Sequence, residues 1–254
     1  MHPNKPVVCH PDAFSRTDIL LGAETRLRLC DQSIFIAGLG GVGGYVAENL
    51  ARIGFRHLTL LDHDQVSPSN LNRQLAALHS TLGQDKTAVI AARLREINPE
   101  IELQLLNQFM TKDQAEALVT AQPYAFVIDC IDSIICKAAL VAACLKHEIA
   151  IASSMGAGNR LDVTQVRLTT LNQTHGCGLA RELRALLKKM GARTNYPVVY
   201  STETSRQPLP HAPIDDSETG HPRAVNGTIA YMPALFGLML TGLVTQTLLK
   251  KMES

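Results

Sequence analysis

Short hydrophobic runs alternate along the chain with longer segments in which apolar residues recur every three or four positions. The runs are typical of buried parallel strands, and the longer segments are typical of amphipathic helices. Strands are predicted at 34–37, 58–61, 102–106, 124–129 and 149–153, and helices at 16–30, 45–53, 86–97, 112–120 and 136–146. This alternation predicts an α/β fold with a mostly parallel sheet and helices on both faces.

The C-terminal part of the chain departs from this pattern after Leu168. Residues 204–225 are rich in proline and polar groups, which predicts a mobile loop. Residues 229–249 hold no charged residue in 21 positions, so the predicted helix is long enough to cross a bilayer. Polar residues interrupt it, and Gly237 and Gly242 suggest close packing. We therefore favour a helix buried against the sheet or a dimer partner, with membrane association as the alternative.

Composition narrows the class of protein. A chain of 254 residues that is 46% hydrophobic can bury one large core, and we expect a flexible tail at 1–13 and a single domain at 14–254. The net charge of +1 argues against a general nucleic-acid binder. Six cysteines without a Cys-x-x-Cys pair, and no signal-like run at the polar start, lead us to expect a cytoplasmic protein without structural zinc.

A glycine-rich turn is predicted between the first strand and its helix, formed by Gly38, Gly40, Gly41 and Gly43. Glycines let backbone N–H groups approach phosphates at a helix N-terminus, and Asp62, at the end of the second strand, can accept hydrogen bonds from ribose hydroxyls. The segment predicts a Rossmann-like nucleotide site. A nicotinamide oxidoreductase is the default reading of such a site.

Charged residues further along argue against hydride transfer. Arg73 and Lys86 can neutralise a triphosphate and its leaving pyrophosphate, and Asp132, after the strand at 124–129, can hold magnesium. Asp129 is a second candidate there, as a helper in catalysis or as a helix cap. Attack on an α-phosphate needs this combination of cations and carboxylate, whereas hydride transfer does not.

These residues resemble those of a known superfamily. They resemble the ATP site of the ubiquitin-activating-enzyme-like adenylyltransferases of the ThiF, MoeB and HesA type. The resemblance is carried by the glycine turn, Asp62, the run 70–74, Lys86 and the run 129–132. The resemblance covers residues 14 to about 205. Within it, the segments 97–99, 153–158, 162–164 and 201–203 most resemble the tRNA threonylcarbamoyladenosine dehydratases.

The resemblance implies an adenylation fold, ATP and Mg²⁺ as cofactors, and tRNA carrying threonylcarbamoyladenosine as substrate. It implies that the acyl-adenylate of that group closes into a cyclic form, and that Asp132 holds the magnesium. Arg16 is implied to reach across a homodimer to the neighbour's triphosphate. The implied nucleotide site consists of Gly38, Gly40, Gly41, Gly43, Asp62, Asp64, Asn70, Arg73, Gln74, Lys86 and Asp132.

Several alternatives stay open. Activation of a sulfur-carrier protein's C-terminus is the nearest, although the absent cysteine pairs count against it, and a non-catalytic docking scaffold is another. A sulfur-relay protein is a further partner compatible with the resemblance. Cys177 is either a covalent nucleophile or an incidental thiol. The basic positions of 180–193 are either a local tRNA contact or a solvated helix face: Arg181, Arg184, Lys188, Lys189 and Arg193.

Overall fold

The computed structural model describes residues 9–10, 12–207 and 226–253, which form eight helices of five residues or more and seven strands. The helices are α1 Ser15–Leu21, α2 Ala23–Cys30, α3 Gly43–Ile53, α4 Lys86–Ile97, α5 Ala115–Val119, α6 Ile134–Lys146, α7 Gly178–Lys189 and α8 Tyr231–Glu253. The strands are β1 Ser33–Ala37, β2 His57–Asp62, β3 Glu102–Asn107, β4 Phe126–Asp129, β5 Ile151–Ser154, β6 Val166–Thr170 and β7 Pro197–Ser201.

All strands belong to one sheet with the order β3-β2-β1-β4-β5-β7-β6. Every neighbouring pair is parallel except β6 and β7. The chain runs outward from β1 through β2 to β3 and then returns to β4 on the other side of β1. This reversal opens a crevice at the carboxyl ends of β1 and β4, where α/β sheets bind ligands.

Side chains on each strand alternate between two hydrophobic clusters, one on each face of the sheet. In β1, Ile34 and Ile36 join the cluster beneath α3, α4 and α8, whereas Phe35 and Ala37 join the cluster beneath α5, α6 and α7. Because both clusters are buried, the strands carry continuous apolar runs, as a parallel sheet requires. The predicted α/β fold with helices on both faces is confirmed.

Several boundaries differ from the predictions. The predicted helix 16–30 is two helices, because Gly22 adopts φ +82° and ψ 139°, which no helical residue does. The predicted helix 112–120 begins with a 3₁₀ turn and is α-helical only at Ala115–Val119. The strands β6 and β7 were not predicted. Most of the predicted tail 1–13 and of the predicted loop 204–225 lies outside the described residues.

Helix α8 is long and apolar enough to cross a membrane by length and composition alone. In this structure it instead packs on α3 and on the sheet. One face is buried, and it consists of Met232, Pro233, Phe236, Gly237, Leu240, Thr241, Val244 and Leu248. The spacing of three and four residues is that of one helix face against a core, which agrees with the favoured prediction of a buried helix.

The two glycines of α8 differ in their surroundings, which allows a matched test. A Cβ atom at Gly237 would lie 2.7 Å from the Val42 carbonyl oxygen, whereas one at Gly242 meets nothing within 4 Å. We expect Gly237→Ala to lower the free energy of unfolding by about 1–3 kcal/mol through overpacking. Gly242→Ala should raise it by up to about 1 kcal/mol, because alanine is the better helix former. Urea denaturation measures both, and equal effects would contradict the packing of α8 on α3.

Candidate nucleotide-binding site

The glycine turn follows β1 directly, and two of its glycines are required by the space available. Gly38 has φ +88°, and a Cβ atom there would lie 2.9 Å from the Cys130 carbonyl oxygen. A Cβ atom at Gly43 would lie 1.8 Å from the Gly38 carbonyl oxygen. Both positions therefore exclude any side chain. Gly40 instead lies open to the crevice, where a Cβ atom would meet only the Gln74 amide, at 3.8 Å.

The backbone of the turn offers hydrogen-bond donors. Across the described part of the chain, no group accepts a hydrogen bond from the N–H of Gly40, Gly41 or Val42. These donors precede the N-terminus of α3, which carries a partial positive charge. Such an arrangement binds phosphate or another anion without a cationic side chain.

Asp62 holds the turn in place. Its Oδ2 atom accepts a hydrogen bond from the Leu39 N–H at 2.6 Å, and its Oδ1 atom accepts one from the Asp64 N–H at 2.9 Å. Each carboxylate oxygen has a further lone pair. Asp62 can therefore accept hydrogen bonds from ribose hydroxyls, as predicted. It also fixes the backbone of the glycine turn, whose N–H groups can bind phosphate.

Arg73 lies beside the turn without an acidic partner among the described residues. Its Nη1 atom donates to the Ser69 carbonyl oxygen at 2.8 Å and to Asn72 Oδ1 at 2.9 Å. Nη2 and Nε make no hydrogen bond within the described structure and stay available to a ligand. Burial lowers the pKa of Arg73 from its usual value, as expected for a partly buried charge without compensation. An anion would supply that compensation.

Lys86 is buried at the start of α4, and its Nζ atom donates to Asp64 Oδ2 at 2.7 Å. The Lys86 N–H also donates to the Asp64 carbonyl oxygen, at 3.0 Å. The pair keeps the ammonium group at the wall of the crevice. Because an ammonium group has three donors, Lys86 can contact a phosphate while it keeps Asp64.

Two aspartates near the end of β4 have opposite environments. Asp129 is fully buried, and its Oδ2 atom accepts from Lys137 Nζ at 2.7 Å and from Ser153 Oγ at 2.6 Å. These contacts disfavour a helper role for Asp129 in catalysis. Asp132 is exposed and lines the crevice, and no described residue bonds to its carboxylate.

Asp132 fits magnesium better than the other acidic groups nearby. Asp62, His63 and Asp64 place one potential ligand atom each within 4.8 Å of one another, but Asp62 holds backbone N–H groups and Asp64 holds Lys86. Magnesium prefers oxygen ligands and usually takes one or two carboxylates, together with water and phosphate. The free carboxylate of Asp132 meets that requirement.

The crevice brings together most of the predicted residues, in a volume of about 170 Å³. Gln74 is buried there, and within the described structure its Oε1 atom has no hydrogen-bond donor. An unpaired buried acceptor is costly, and a nucleotide hydroxyl would satisfy it. The predicted residues that line the crevice are Gly38, Gly40, Asp62, Asp64, Gln74, Lys86 and Asp132.

Other predicted residues lie outside this lining. Gly41 and Gly43 shape the turn, and Arg73 flanks it. The Asn70 amide is buried and accepts from the Ser67 N–H at 3.2 Å, which stabilises the turn before Arg73. Arg16 is exposed on α1 and does not line the crevice of its own chain.

Sequence reasoning missed the apolar part of the crevice. The segment after β3 supplies Gln108, Phe109 and Met110, and the Phe109 ring packs edge-on against His63 with centroids 4.9 Å apart. Open α/β sheets bind ligands at the carboxyl ends of their strands. These residues follow the carboxyl end of a predicted parallel strand, so that rule could have identified them. An apolar wall of this kind suits a planar base.

Two predictions in the C-terminal half change. Cys177 is buried at the start of α7, which disfavours a nucleophilic thiol. Arg184, one of the five basic residues proposed to meet tRNA, donates instead to the carbonyl oxygens of Leu171 and Thr174, at 3.1 and 2.9 Å. The other four are exposed: Arg181, Lys188, Lys189 and Arg193.

The fold and the crevice define a class, that of α/β proteins that bind a nucleoside triphosphate through backbone donors and cations beside a free carboxylate. The chain belongs to the ThiF family, whose family model matches residues 14–254. It is 35% identical to the tRNA threonylcarbamoyladenosine dehydratase of Bacillus subtilis (strain 168) over 244 residues, which cover 94% of this chain and 96% of that protein.

A solved structure agrees with this assignment. The Escherichia coli dehydratase TcdA in complex with ATP superposes with a TM-score of 0.84 at 32% identity, covering 97% of this chain and 99% of that chain. The predicted adenylation fold is thereby confirmed. The molybdopterin-synthase adenylyltransferase of Escherichia coli (strain K12) is 34% identical, but over only 166 residues, or 65% of each chain.

The buried pair below the crevice gives a stability prediction. We expect Lys137→Met to lower the free energy of unfolding by about 3–5 kcal/mol, because Asp129 would be left buried without its partner. Lys146→Met is the matched control, since Lys146 and its partner Glu116 are more than half exposed, and we expect a loss of at most about 1 kcal/mol. Urea denaturation compares them. A loss below 1 kcal/mol for Lys137→Met would contradict the burial of the pair.

Proposed function

We propose that this protein uses ATP to dehydrate the threonylcarbamoyl group of threonylcarbamoyladenosine in tRNA. The observation that carries the proposal is the uncompensated Arg73 beside the free N–H groups of the glycine turn. The structural likeness to a dehydratase in complex with ATP, over nearly the whole of both chains, supports it. A protein that only docked partners would gain nothing from a partly buried guanidinium group without an acidic partner.

The reaction proceeds in two steps. The substrate carboxylate attacks the α-phosphate of ATP, the bond from that phosphorus to pyrophosphate breaks, and an acyl-adenylate forms. Arg73 and Lys86 stabilise negative charge on the departing pyrophosphate, and the N–H groups of the turn hold phosphate oxygens. A nitrogen of the same threonylcarbamoyl group then attacks the activated carbonyl, its proton passes to solvent, and AMP leaves with the carboxylate oxygen.

Magnesium belongs to this proposal as well. Asp132 would hold the ion, which neutralises charge on phosphate oxygens during transfer. The remaining residues keep their own tasks: Asp62 binds the ribose, Gln74 accepts a hydroxyl, and the wall at Phe109 excludes water from the base.

The substrate is the point at which the sulfur-carrier alternative differs. The first step would be the same, but the carboxylate that accepts the adenylyl group of ATP would belong to a protein. The coverage of only 65% with the molybdopterin-synthase adenylyltransferase and the absence of Cys-x-x-Cys pairs favour tRNA. A sulfur-relay partner stays a prediction from the resemblance, and so does the cytoplasmic location.

The exposed basic residues of α7 give tRNA a local contact. Because β7 is parallel to β5, β7 begins at the end of the sheet opposite the crevice. Helix α7 directly precedes β7 in the chain, so α7 also ends there. Lys188 and Lys189 therefore lie far from the nucleotide, whereas Arg181 is in the first turn of α7, at the crevice end. We place the contact nearest the reacting adenosine at Arg181.

Pyrophosphate release tests the reaction. We expect release from ATP with tRNA that carries threonylcarbamoyladenosine, and none with unmodified tRNA or a sulfur-carrier protein. Asp132→Ala should reduce the rate at least about 100-fold, the size of effect seen when a charge-stabilising group is removed. Asp113→Ala, an exposed aspartate outside the crevice, is the control and should keep the full rate. Release stimulated only by a carrier protein would overturn the substrate assignment.

A homodimer is also proposed, with Arg16 acting on the partner's triphosphate. Helix α1 buries none of its residues, and Ile19 and Leu20 on it are 85% and 80% exposed. Large apolar side chains at that exposure favour an interface. An arginine carried on such an interface helix would be placed to enter the neighbouring crevice.

Subunit mixing tests the role of Arg16. Arg16→Ala and Arg73→Ala homodimers should each be nearly inactive. After refolding together, half of the dimers contain one intact site, so about a quarter of the wild-type pyrophosphate release should return. Mixed dimers that form without regaining activity would place Arg16 in its own chain's site or outside catalysis.

A further inference from the structure

The side chain of Asn72 connects Arg73 with a distant part of the chain. Its Oδ1 atom accepts from Arg73 Nη1 at 2.9 Å, and its Nδ2 atom donates to the Thr228 carbonyl oxygen at 3.0 Å. The orientation of the amide is determined by these partners, because only the oxygen can accept from a guanidinium group and only the nitrogen can donate to a carbonyl. One side chain thus fixes Arg73 and the segment 226–230 together.

The same segment is held from the other side by Asn159. The Asn159 N–H donates to the Gly227 carbonyl oxygen at 2.8 Å, and the Asn159 Nδ2 atom donates to Asn226 Oδ1 at 2.8 Å. The Asn159 carbonyl oxygen accepts from the Arg206 N–H at 2.9 Å. Asn159 has φ +59°, a left-handed conformation that asparagine tolerates better than most residues. Asn159 therefore bonds both to Arg206 and to the segment 226–230.

The segment then leads into α8, which lies against the glycine turn. A Cβ atom at Gly41 would be 3.0 Å from Pro233 Cβ and 3.4 Å from Arg73 Cγ. Arg73, the turn and the start of α8 thus share one contact region. A displacement of 226–230 would break the bond from Asn72 Nδ2 to Thr228, on the same side-chain amide whose oxygen accepts from Arg73.

We propose that Asn72 is a positioning residue that couples the docking of 226–230 to the orientation of Arg73, and so to the affinity for ATP. The proposal rests on the proposed function only in taking ATP as the ligand of Arg73. Coupling between two equilibria is reciprocal, so ATP also strengthens the docking of 226–230. The segment is thereby a sensor of the nucleotide through the bond that it accepts from Asn72.

Three variants test the coupling by calorimetric titration with ATP and magnesium chloride. Asn72→Ala should raise the dissociation constant about 3- to 10-fold, because a hydrogen bond to a charged group is lost. Asn72→Asp should raise it roughly 30-fold, because the new carboxylate pairs with Arg73 and competes with phosphate. Asn49→Ala is the control: it also removes one side-chain bond to a backbone carbonyl, that of Tyr45 at 2.8 Å, and should not change affinity.

The ranking separates positioning from simple structural support. If Asn72 only tied down Thr228, the alanine and aspartate variants would lose affinity equally, and that result would overturn the proposal. Unchanged affinity in both would do the same. Failure of the wild-type protein to bind ATP would instead refute the proposed function, so the two failures are distinguishable.

Amide hydrogen exchange supplies a second readout. In the wild-type protein, ATP should slow exchange at 227–230, whereas in Asn72→Ala the same amides should exchange at one rate with and without ATP. Asn159→Gly keeps the left-handed backbone but removes the bond to Asn226, and should raise the dissociation constant for ATP about twofold to threefold. Protection by ATP that persists in Asn72→Ala would overturn the coupling.

Discussion

The hydrogen bond from the Leu39 N–H to the Asp62 carboxylate is the interaction on which the site depends. It joins the turn after β1 to the end of β2, and the turn packs so closely that Gly38 and Gly43 have no space for a side chain. The same carboxylate accepts from the Asp64 N–H, and Asp64 in turn holds Lys86. One buried group therefore sets both the backbone donors for phosphate and the position of a cation more than twenty residues along the chain.

Some charged residues near the crevice are paired with one another and stabilise the fold, whereas others are free to bind a ligand. Lys137 and Asp129 form a buried ion pair below the crevice, and Glu48 is paired with Arg52 on α3 and Arg93 on α4. Two groups of opposite sign have no oppositely charged partner in the described structure: Asp132, which is exposed and lines the crevice, and Arg73, which is partly buried beside the glycine turn. Because an uncompensated charge is costly to bury, the partial burial of Arg73 is best explained by an anionic ligand.

The order of strands and helices could be predicted from the sequence because local residue patterns determine it. Apolar runs located five strands, and glycine spacing located the turn, since these signals are contained in a few neighbouring residues. Gly22 could not be predicted as a break, because a glycine inside a helix and a glycine at φ +82° look alike in sequence. Other features could not be predicted because they depend on contacts that only the folded chain creates. They are the bond from Arg184 to the Thr174 carbonyl oxygen, the pairing of Lys137 with Asp129, and the bond from Asn72 to Thr228.

Among the described residues, the cysteines that line the crevice are poor nucleophiles, which agrees with an intramolecular second step. Adenylating enzymes that pass an acyl group to a sulfur nucleophile need an exposed thiolate. Of the two cysteines that line the crevice, Cys130 has a pKa raised by burial and Cys136 is buried, as is Cys177 outside the lining. In the proposed reaction the nucleophile is part of the same modified nucleoside as the activated carbonyl. Such proximity is equivalent to an effective concentration of roughly 10⁵–10⁸ M in well-oriented systems. The protein then has only to form the acyl-adenylate and exclude water, which are the tasks that its donors, cations and apolar wall can perform.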